Sequence, residues 1–164
     1  MSDYISYQEL PALMGIEKGD IILLSSDITD LYIQCRKHGE KLDLNVLLDK
    51  FQEAIGPEGT LLIPTYNWGF CKGKTFDYKN SPSKTGVIGD TALKRKDFRR
   101  TKHPIYSFAV WGKDIDYLCS LDDVESFGPN SHLPIWRRTM ARMPLLAEPL
   151  SETVSLIFTI WSKS

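Results

Sequence analysis

Several patterns that would point directly to a function are missing from this 164-residue sequence. It contains no GxGxxG or GxxxxGK[ST] stretch, so a standard nucleotide-binding loop is not supported. Its three histidines form neither an HExxH motif nor a His-x-His pair, which argues against a catalytic metal. No GxSxG turn presents a serine, so a covalent hydrolase is not indicated either.

Cysteine, net charge and long apolar runs are also scarce. Cys35, Cys71 and Cys119 include no CxxC pair, so we expect small buried thiols in a reducing cytoplasm rather than disulfides or zinc ligands. A formal net charge of −1 gives no reason to expect a nucleic-acid or membrane partner. No apolar run approaches the roughly 18–20 residues of a membrane helix. The N-terminus also lacks the basic and then apolar order of a secretion signal.

What remains is ordinary globular composition, 42% hydrophobic and 25% charged, which suffices for one domain with a core. The pattern predicts a short helix that stops at Gly15 and a strand buried on both faces within 20–26. It then predicts a helix over 42–56 and a buried strand at 60–63. A helix between two buried strands indicates a crossover unit. We therefore expect an α/β fold with a mixed, partly parallel sheet flanked by helices.

After residue 64, the sequence predicts short helices and strands that alternate with loops. A helix is predicted within 87–97, a strand over 106–112 and a helical turn within 113–121. Residues 65–86 are aromatic, polar and rich in glycine, with no period of two or 3.6. A long loop of this kind in a compact domain is more often functional than idle. Residues 126–136 also have loop composition, and we expect the long loops to gather at one edge of the sheet.

The stretch after the first buried strand contains candidate binding groups. Ser25 and Ser26 lie where the loops of α/β sheets commonly bind ligands. Their hydroxyls and backbone N–H groups can hold a phosphate or a carbonyl oxygen. An equally good interpretation is that Ser26, Asp27 or Thr29 caps the following helix.

His103 is the histidine with the most unusual surroundings, between a run of basic residues and an apolar strand. The proline that follows it favours an extended backbone, which suits entry into the strand. A triad with Ser107 or Ser83 and an aspartate can be drawn, but many chains allow that. The residue types alone favour a hydrogen-bonded structural histidine over a proton-transfer group.

Five stretches in order carry a resemblance to a known family. They are KGDIILLSSDI, LLDKFQEAIGPEGTLLIPTYNWGF, TFDYKNSPSKTGVIGDTALKR, RRTKHPIYSFAVWGKD and SFGPNSHLPIW, and they span residues 18–136. Together they resemble the aminoglycoside 3-N-acetyltransferases, also called antibiotic N-acetyltransferases. The matching family patterns are a Ser-Ser loop after the first strand, G-P-x-G-T-L-x-x-P-T, F-D-x-x-x-[ST]-P-S-x-x-G, R-x-x-H-P-x-x-S and an F-G loop.

The resemblance implies an enzyme that moves an acetyl group from acetyl-CoA to an amine of an amino sugar. It implies cofactor contacts from Ser25, Ser26, Asp27, Thr65, Tyr66, His103 and Ser107. It implies substrate contacts from Asn67, Trp68, Ser83, Lys84, Thr85 and Gly86. Leu24 stands where many relatives have a histidine. No catalytic residue is assigned, because the family's T-x-x-H-x-x-E base and orienting acid are expected beyond Trp136.

Residues 137–164 depart from the family pattern. They contain no G-K strand, no histidine and no glycine. One permitted choice of codons for this tail, with one G restored after the Trp136 codon, reads in the shifted frame as EKNNGKNALVGGTFVGNGFTHFHHMEQE. This sequence contains the missing motifs in the family's order. We therefore expect 1–136 to be the N-terminal portion of one acetyltransferase domain. We expect 137–164 to be an out-of-frame, poorly packed tail that leaves a sheet edge unfilled and impairs activity. A genuinely short natural variant is the alternative.

The implied partner is a small-molecule amino sugar or aminoglycoside. Two other functions stay open at this point. One is acetylation of a nucleotide-linked amino sugar for surface polysaccharide, with the aromatic loop TYNWGF stacking on a sugar ring. The other is a non-catalytic CoA-binding remnant. A homo-oligomer is compatible with the sequence, whereas a metal, a nucleic acid or a membrane partner is not expected.

Overall fold

The computed structural model describes residues 4–25 and 27–122, together with the backbone of a strand at 158–161. Its helices are α1 (Leu10–Leu13), α2 (Thr29–Lys37), α3 (Leu44–Ile55), α4 (Val87–Lys94) and α5 (Ile115–Ser120). Its strands are β1 (Ile21–Leu24), β2 (Thr60–Pro64), β3 (Arg99–Arg100), β4 (Phe108–Gly112) and β5 (Phe158–Trp161). A 3-10 turn covers Phe70–Lys72. The predicted α/β class is confirmed.

The strands form one mixed sheet in the order β3-β4-β2-β1-β5. β1 and β2 are parallel, with Ile21 opposite Thr60, and α2 and α3 form the crossover between them. The pairs β2–β4, β3–β4 and β1–β5 are antiparallel. The sheet is therefore partly parallel, as the strand–helix–strand pattern predicted.

Both faces of the sheet carry buried apolar side chains. Ile22 and Leu61 belong to the larger core cluster, which includes Phe51 of α3 and residues of α1, α2 and α4. Leu62, the neighbour of Leu61, belongs to a smaller cluster that includes Leu118 of α5. Successive strand residues point to opposite faces, so strands that are covered on both sides are apolar throughout. This explains the unbroken apolar runs in the sequence.

Helix α3 shows how local signals set the element boundaries. The Asp43 side chain accepts a hydrogen bond from the backbone N–H of Asn45 at 2.8 Å and caps the N-terminus. The C-cap, Gly56, has a φ of +68°, a conformation that glycine adopts without steric cost. Between these ends, Phe51 and Ile55 are fully buried one turn apart. The predicted amphipathic helix is therefore confirmed.

Two predictions from the sequence differ from the structure. Cys71 is exposed, whereas Cys35 and Cys119 are buried as expected. Cys71 lies in the 3-10 turn Phe70–Lys72, none of whose residues is buried. The sequence also predicts that the tail leaves a sheet edge unfilled, whereas β5 from the tail pairs with β1 at one edge of the sheet. The FTIW sequence of β5 is rich in residues that favour strands.

The remaining tail prediction and the loop predicted at 126–136 lie outside the described residues. Among the residues that the structure describes, no helix has the length and apolar character needed to span a membrane.

Candidate functional site

Three strands bring the predicted site residues to one edge of the sheet. β1 and β2 are parallel, so their C-terminal ends, followed by Ser25 and Thr65, meet at the same edge. β4 runs antiparallel to β2, with Phe108 opposite Pro64, so the start of β4 lies at this edge too. We call Ser25 and residues 65–68, 81–86 and 103–107 the strand-end site. Loops beyond the C-terminal ends of parallel strands are where open α/β sheets bind ligands.

A buried hydrogen-bond network holds the centre of this site. The Thr65 and Ser107 hydroxyls lie 3.0 Å apart, and both side chains are fully buried. The Ser107 hydroxyl also donates to the Thr65 carbonyl at 2.9 Å. Arg100 donates to the same carbonyl at 2.8 Å and to the Ser107 hydroxyl at 2.9 Å. These two predicted cofactor residues therefore bond to each other and to Arg100, and a direct contact with a ligand stays a prediction.

The loop that contains Ser83, Lys84 and Thr85 is pinned to the end of β2. The Thr85 hydroxyl donates to the Pro64 carbonyl at 2.6 Å. The Lys84 backbone N–H donates to the Tyr66 carbonyl at 2.8 Å. The Ser83 hydroxyl lies 2.9 Å from that of Thr85, and its side chain is buried. The Lys84 side chain is left exposed, and it can meet a ligand at this edge.

Helix α4 packs against the loop that contains Ser83. The backbone N–H of Ser83 donates to the Asp90 carboxylate at 2.8 Å. A Cβ added at Gly89 would lie 2.7 Å from the Ser83 hydroxyl and 2.8 Å from the Pro64 carbonyl, so only glycine fits here without a shift. Gly86, at the N-terminal end of α4, has a φ of +115° and open space around the position of a Cβ. The helix thus approaches the strand end closely while Gly86 stays accessible.

Asn67 organises the turn that presents Trp68. Its side-chain amide donates to the Pro82 carbonyl at 2.8 Å, and its side-chain oxygen accepts from the Gly69 N–H at 2.8 Å. Trp68 is 42% exposed. The ring of Tyr66 makes edge contacts with that of Trp68, at a centroid distance of 6.3 Å, and with that of Tyr106, at 5.2 Å. Aromatic surface is therefore available at the site, whereas the Asn67 side chain is buried and engaged.

His103 has a structural hydrogen-bonding role. It is 5% exposed, and its Nδ1 accepts hydrogen bonds from the backbone N–H groups of Ile105 at 3.1 Å and Tyr106 at 2.9 Å. Because Nδ1 is an acceptor in both bonds, the neutral ring carries its proton on Nε2. The side chain thereby shapes the turn that leads into β4. The two bonds support the interpretation of a structural histidine, and the cofactor contact that the resemblance implies for His103 stays a prediction.

The predicted cofactor residues in the loop after β1 have different positions and contacts. Ser25 is exposed at the sheet edge, whereas Ser26 lies outside the described residues. The Asp27 carboxylate accepts hydrogen bonds from the Thr29 N–H at 2.9 Å and the Thr29 hydroxyl at 2.6 Å. These bonds lower the pKa of Asp27. The N-cap residue of α2 is Ile28 and makes no side-chain cap bond, so the expected cap at Asp27 or Thr29 is not found. Asp27 instead stabilises the turn that precedes α2, and its contact with a cofactor stays a prediction.

Arg100 is the site residue that the sequence did not single out. Its guanidinium is buried among backbone carbonyls, and this burial lowers its pKa. The neighbouring Arg99 is exposed and pairs with Asp116. The only available signal was the R-x-x-H-P-x-x-S pattern, because composition does not reveal which of two adjacent arginines points inward.

Among the described residues, no group of three potential ligands could hold a metal ion.

Comparison with protein families gives one match over most of the chain. A family profile described as aminoglycoside 3-N-acetyltransferase matches residues 36–151. Among curated proteins, aminoglycoside N(3)-acetyltransferase IV from Salmonella sp. is 32% identical over 76 residues. That alignment covers 45% of this chain and 28% of the relative.

Solved structures with the same fold include AAC-IIIb and AAC-VIa. AAC-IIIb in a binary complex with CoASH has a TM-score of 0.63 at 17% identity, covering 83% of this chain and 55% of that one. Sisomicin-bound AAC-VIa has a TM-score of 0.63 at 23% identity, covering 83% and 56%. The chain thus spans little more than half the length of these structures and a smaller share of the curated relative.

Proposed function

Because this chain belongs to the aminoglycoside 3-N-acetyltransferase family, we propose that its strand-end site binds acetyl-CoA and an aminoglycoside. The reaction is acetyl transfer to the amine at the 3-N position of the aminoglycoside. One observation carries the proposal. Residues 65–68, 81–86 and 103–107, which are far apart in sequence, are tied together at one sheet edge, and all lie within the matched region.

The exposed groups at this edge suit the chemistry of CoA. Lys84 offers an ammonium group for a phosphate, and it stands beside the accessible backbone at Gly86. Trp68 offers an exposed aromatic face, on which a base or a sugar ring can stack. The Ser25 hydroxyl is exposed at the end of β1. When bound, acetyl-CoA supplies an acetyl group that is activated as a thioester.

The transfer requires a base as well as a binding site. The amine nitrogen forms a bond to the acetyl carbon, the carbon–sulfur bond breaks, and the proton lost by the amine must be accepted. His103 is unsuited to this because it is buried and its Nδ1 is already engaged. The other histidine among the described residues, His38, stacks on Tyr4 at the end of α2. We assign the base to the family's T-x-x-H-x-x-E motif, which this sequence does not contain in its own frame.

We further propose that residues 137–164 are an out-of-frame replacement for the segment with that motif. The polypeptide would then retain binding groups at the strand-end site but lack its proton acceptor. Loss of a general base slows such reactions by roughly 10²–10⁴-fold. We therefore expect this protein to bind CoA but to transfer the acetyl group slowly.

The test measures both properties on the full 164-residue chain. CoA at millimolar concentration should raise the melting temperature, while a mixture of acetyl-CoA and sisomicin should release thiol slowly. Inserting one G after the Trp136 codon should restore rapid thiol release. A chain that binds no CoA contradicts the proposed site. Rapid turnover by the unaltered chain contradicts the assignment of the base, and an intact frame in the locus without a downstream H-x-x-E contradicts the frameshift.

A further inference from the structure

We propose that Arg100 is the positioning residue of the strand-end site, which holds three separate segments of the chain in the arrangement that binds the acyl donor. This inference rests on the proposed function. Arg100 itself need not touch a ligand. It acts through the end of β2, the loop before α4 and the start of β4.

The contacts of Arg100 reach all three segments. Its guanidinium donates to the carbonyl of Thr65 after β2, to the carbonyl of Ser81 in the loop, and to the hydroxyl of Ser107 before β4. The ring of Phe76 covers the guanidinium, with its centroid 4.8 Å from Cζ. Arg100 as a whole is 4% exposed.

A further contact ties the loop to the backbone of Arg100. The Tyr78 hydroxyl donates to the Arg100 carbonyl at 2.5 Å. The side chain and the backbone of Arg100 are thus both bonded to the loop that leads to Lys84 and Gly86. Movement of this loop would displace the exposed groups that we assign to phosphate binding.

The geometry requires a guanidinium rather than any cation. Three acceptors from different directions match the planar, forked set of N–H donors of arginine, and the flat face is free to stack under an aromatic ring. A lysine ammonium has a single nitrogen and cannot reach acceptors that are spread around the edges of a guanidinium. Burial of a cation without such bonds is costly, so the geometry of this site suits arginine and not lysine.

The experiment compares Arg100→Lys with Arg99→Lys, an adjacent control on the exposed side of β3. Hydrogen exchange is measured without ligand for residues 81–86, whose amides at Ser83 and Lys84 are hydrogen-bonded, and for α3 as the internal reference. The CoA dissociation constant is measured by calorimetry on the same proteins. We expect Arg100→Lys to accelerate exchange in 81–86 by about tenfold or more while α3 is unchanged. We expect CoA binding to weaken by about tenfold or more, and Arg99→Lys to match the wild type in both measurements.

Each remaining outcome contradicts either the positioning role of Arg100 or the proposed function. Wild-type exchange in 81–86 of Arg100→Lys overturns the positioning role, as does equal acceleration in 81–86 and α3, which is a general loss of stability. Faster exchange at 81–86 with an unchanged CoA dissociation constant also overturns it. If the wild type binds no CoA, the proposed function fails, whereas the exchange comparison still tests whether Arg100 holds the loop. If Arg100→Lys does not fold, Arg100→Gln replaces it, and wild-type exchange in 81–86 then refutes the inference.

Discussion

Replacing His103 separates a structural histidine from a catalytic one. His103→Ala removes the Nδ1 that accepts from the backbone N–H groups of Ile105 and Tyr106. His103→Asn provides a side-chain oxygen at nearly the same distance from the backbone, in the manner of an Asx turn. The pair of variants therefore differs in the hydrogen bonds of the turn, while both lose the imidazole.

The expected cost follows from the two lost bonds. An unsatisfied buried donor costs about 1–3 kcal/mol, and these two donors are only partly buried, so about 1 kcal/mol each is appropriate. Loss of the packed ring against Tyr106 adds a further contribution of about 1 kcal/mol. We expect His103→Ala to lose about 2–3 kcal/mol of unfolding free energy, and His103→Asn to lose less than half of that.

Urea unfolding followed by tryptophan fluorescence measures this difference. The same proteins, made with the restored reading frame, are then assayed for thiol release from acetyl-CoA. A structural role predicts that His103→Asn keeps most of the activity. If His103→Asn is as stable as the wild type but inactive, the imidazole acts on the ligand or the reaction, and a purely structural role is wrong. If His103→Ala is fully stable, the two hydrogen bonds do not carry the energy assigned to them.

Two further predictions test the core and the charge network around α3. Phe51→Ala should lose about 3–5 kcal/mol of unfolding free energy, because removal of a fully buried ring leaves a cavity. Leu13→Ala, at a site that is 52% exposed, should lose less than about 1 kcal/mol. Similar losses in the two variants would contradict the assigned core. Hydrogen bonds from Arg95 lower the pKa of Asp97 below its usual 3.8, so the folded protein favours the charged carboxylate and Asp97 stabilises the protein at neutral pH. That contribution is lost as the pH falls through the lowered pKa. The stability difference between wild type and Asp97→Asn should therefore shrink on acidification below about pH 4, and a difference that grows instead would refute the pairing.

Most of the fold was predictable because its signals are local. The apolar run before Ser25, the helical spacing before Gly56 and the buried strand after Gly59 each reflect how a segment buries one or both faces. The strand–helix–strand order then restricts the first two strands to a parallel pair. The exposed Cys71 and the pairing of β5 with β1 were not predictable. Both depend on which surfaces the rest of the chain leaves available.

In the candidate site, too, some features were predictable from the sequence and others were not. The order and spacing of the motifs indicated the family, because each motif is a local pattern that the sequence shows by itself. The tertiary structure alone decided that the Thr65 and Ser107 side chains point inward, that His103 accepts two backbone hydrogen bonds, and that Arg100 rather than Arg99 is buried. The physical reason is that burial and hydrogen-bond partners arise from segments far apart in sequence, and nothing in a single segment encodes which neighbour it will meet.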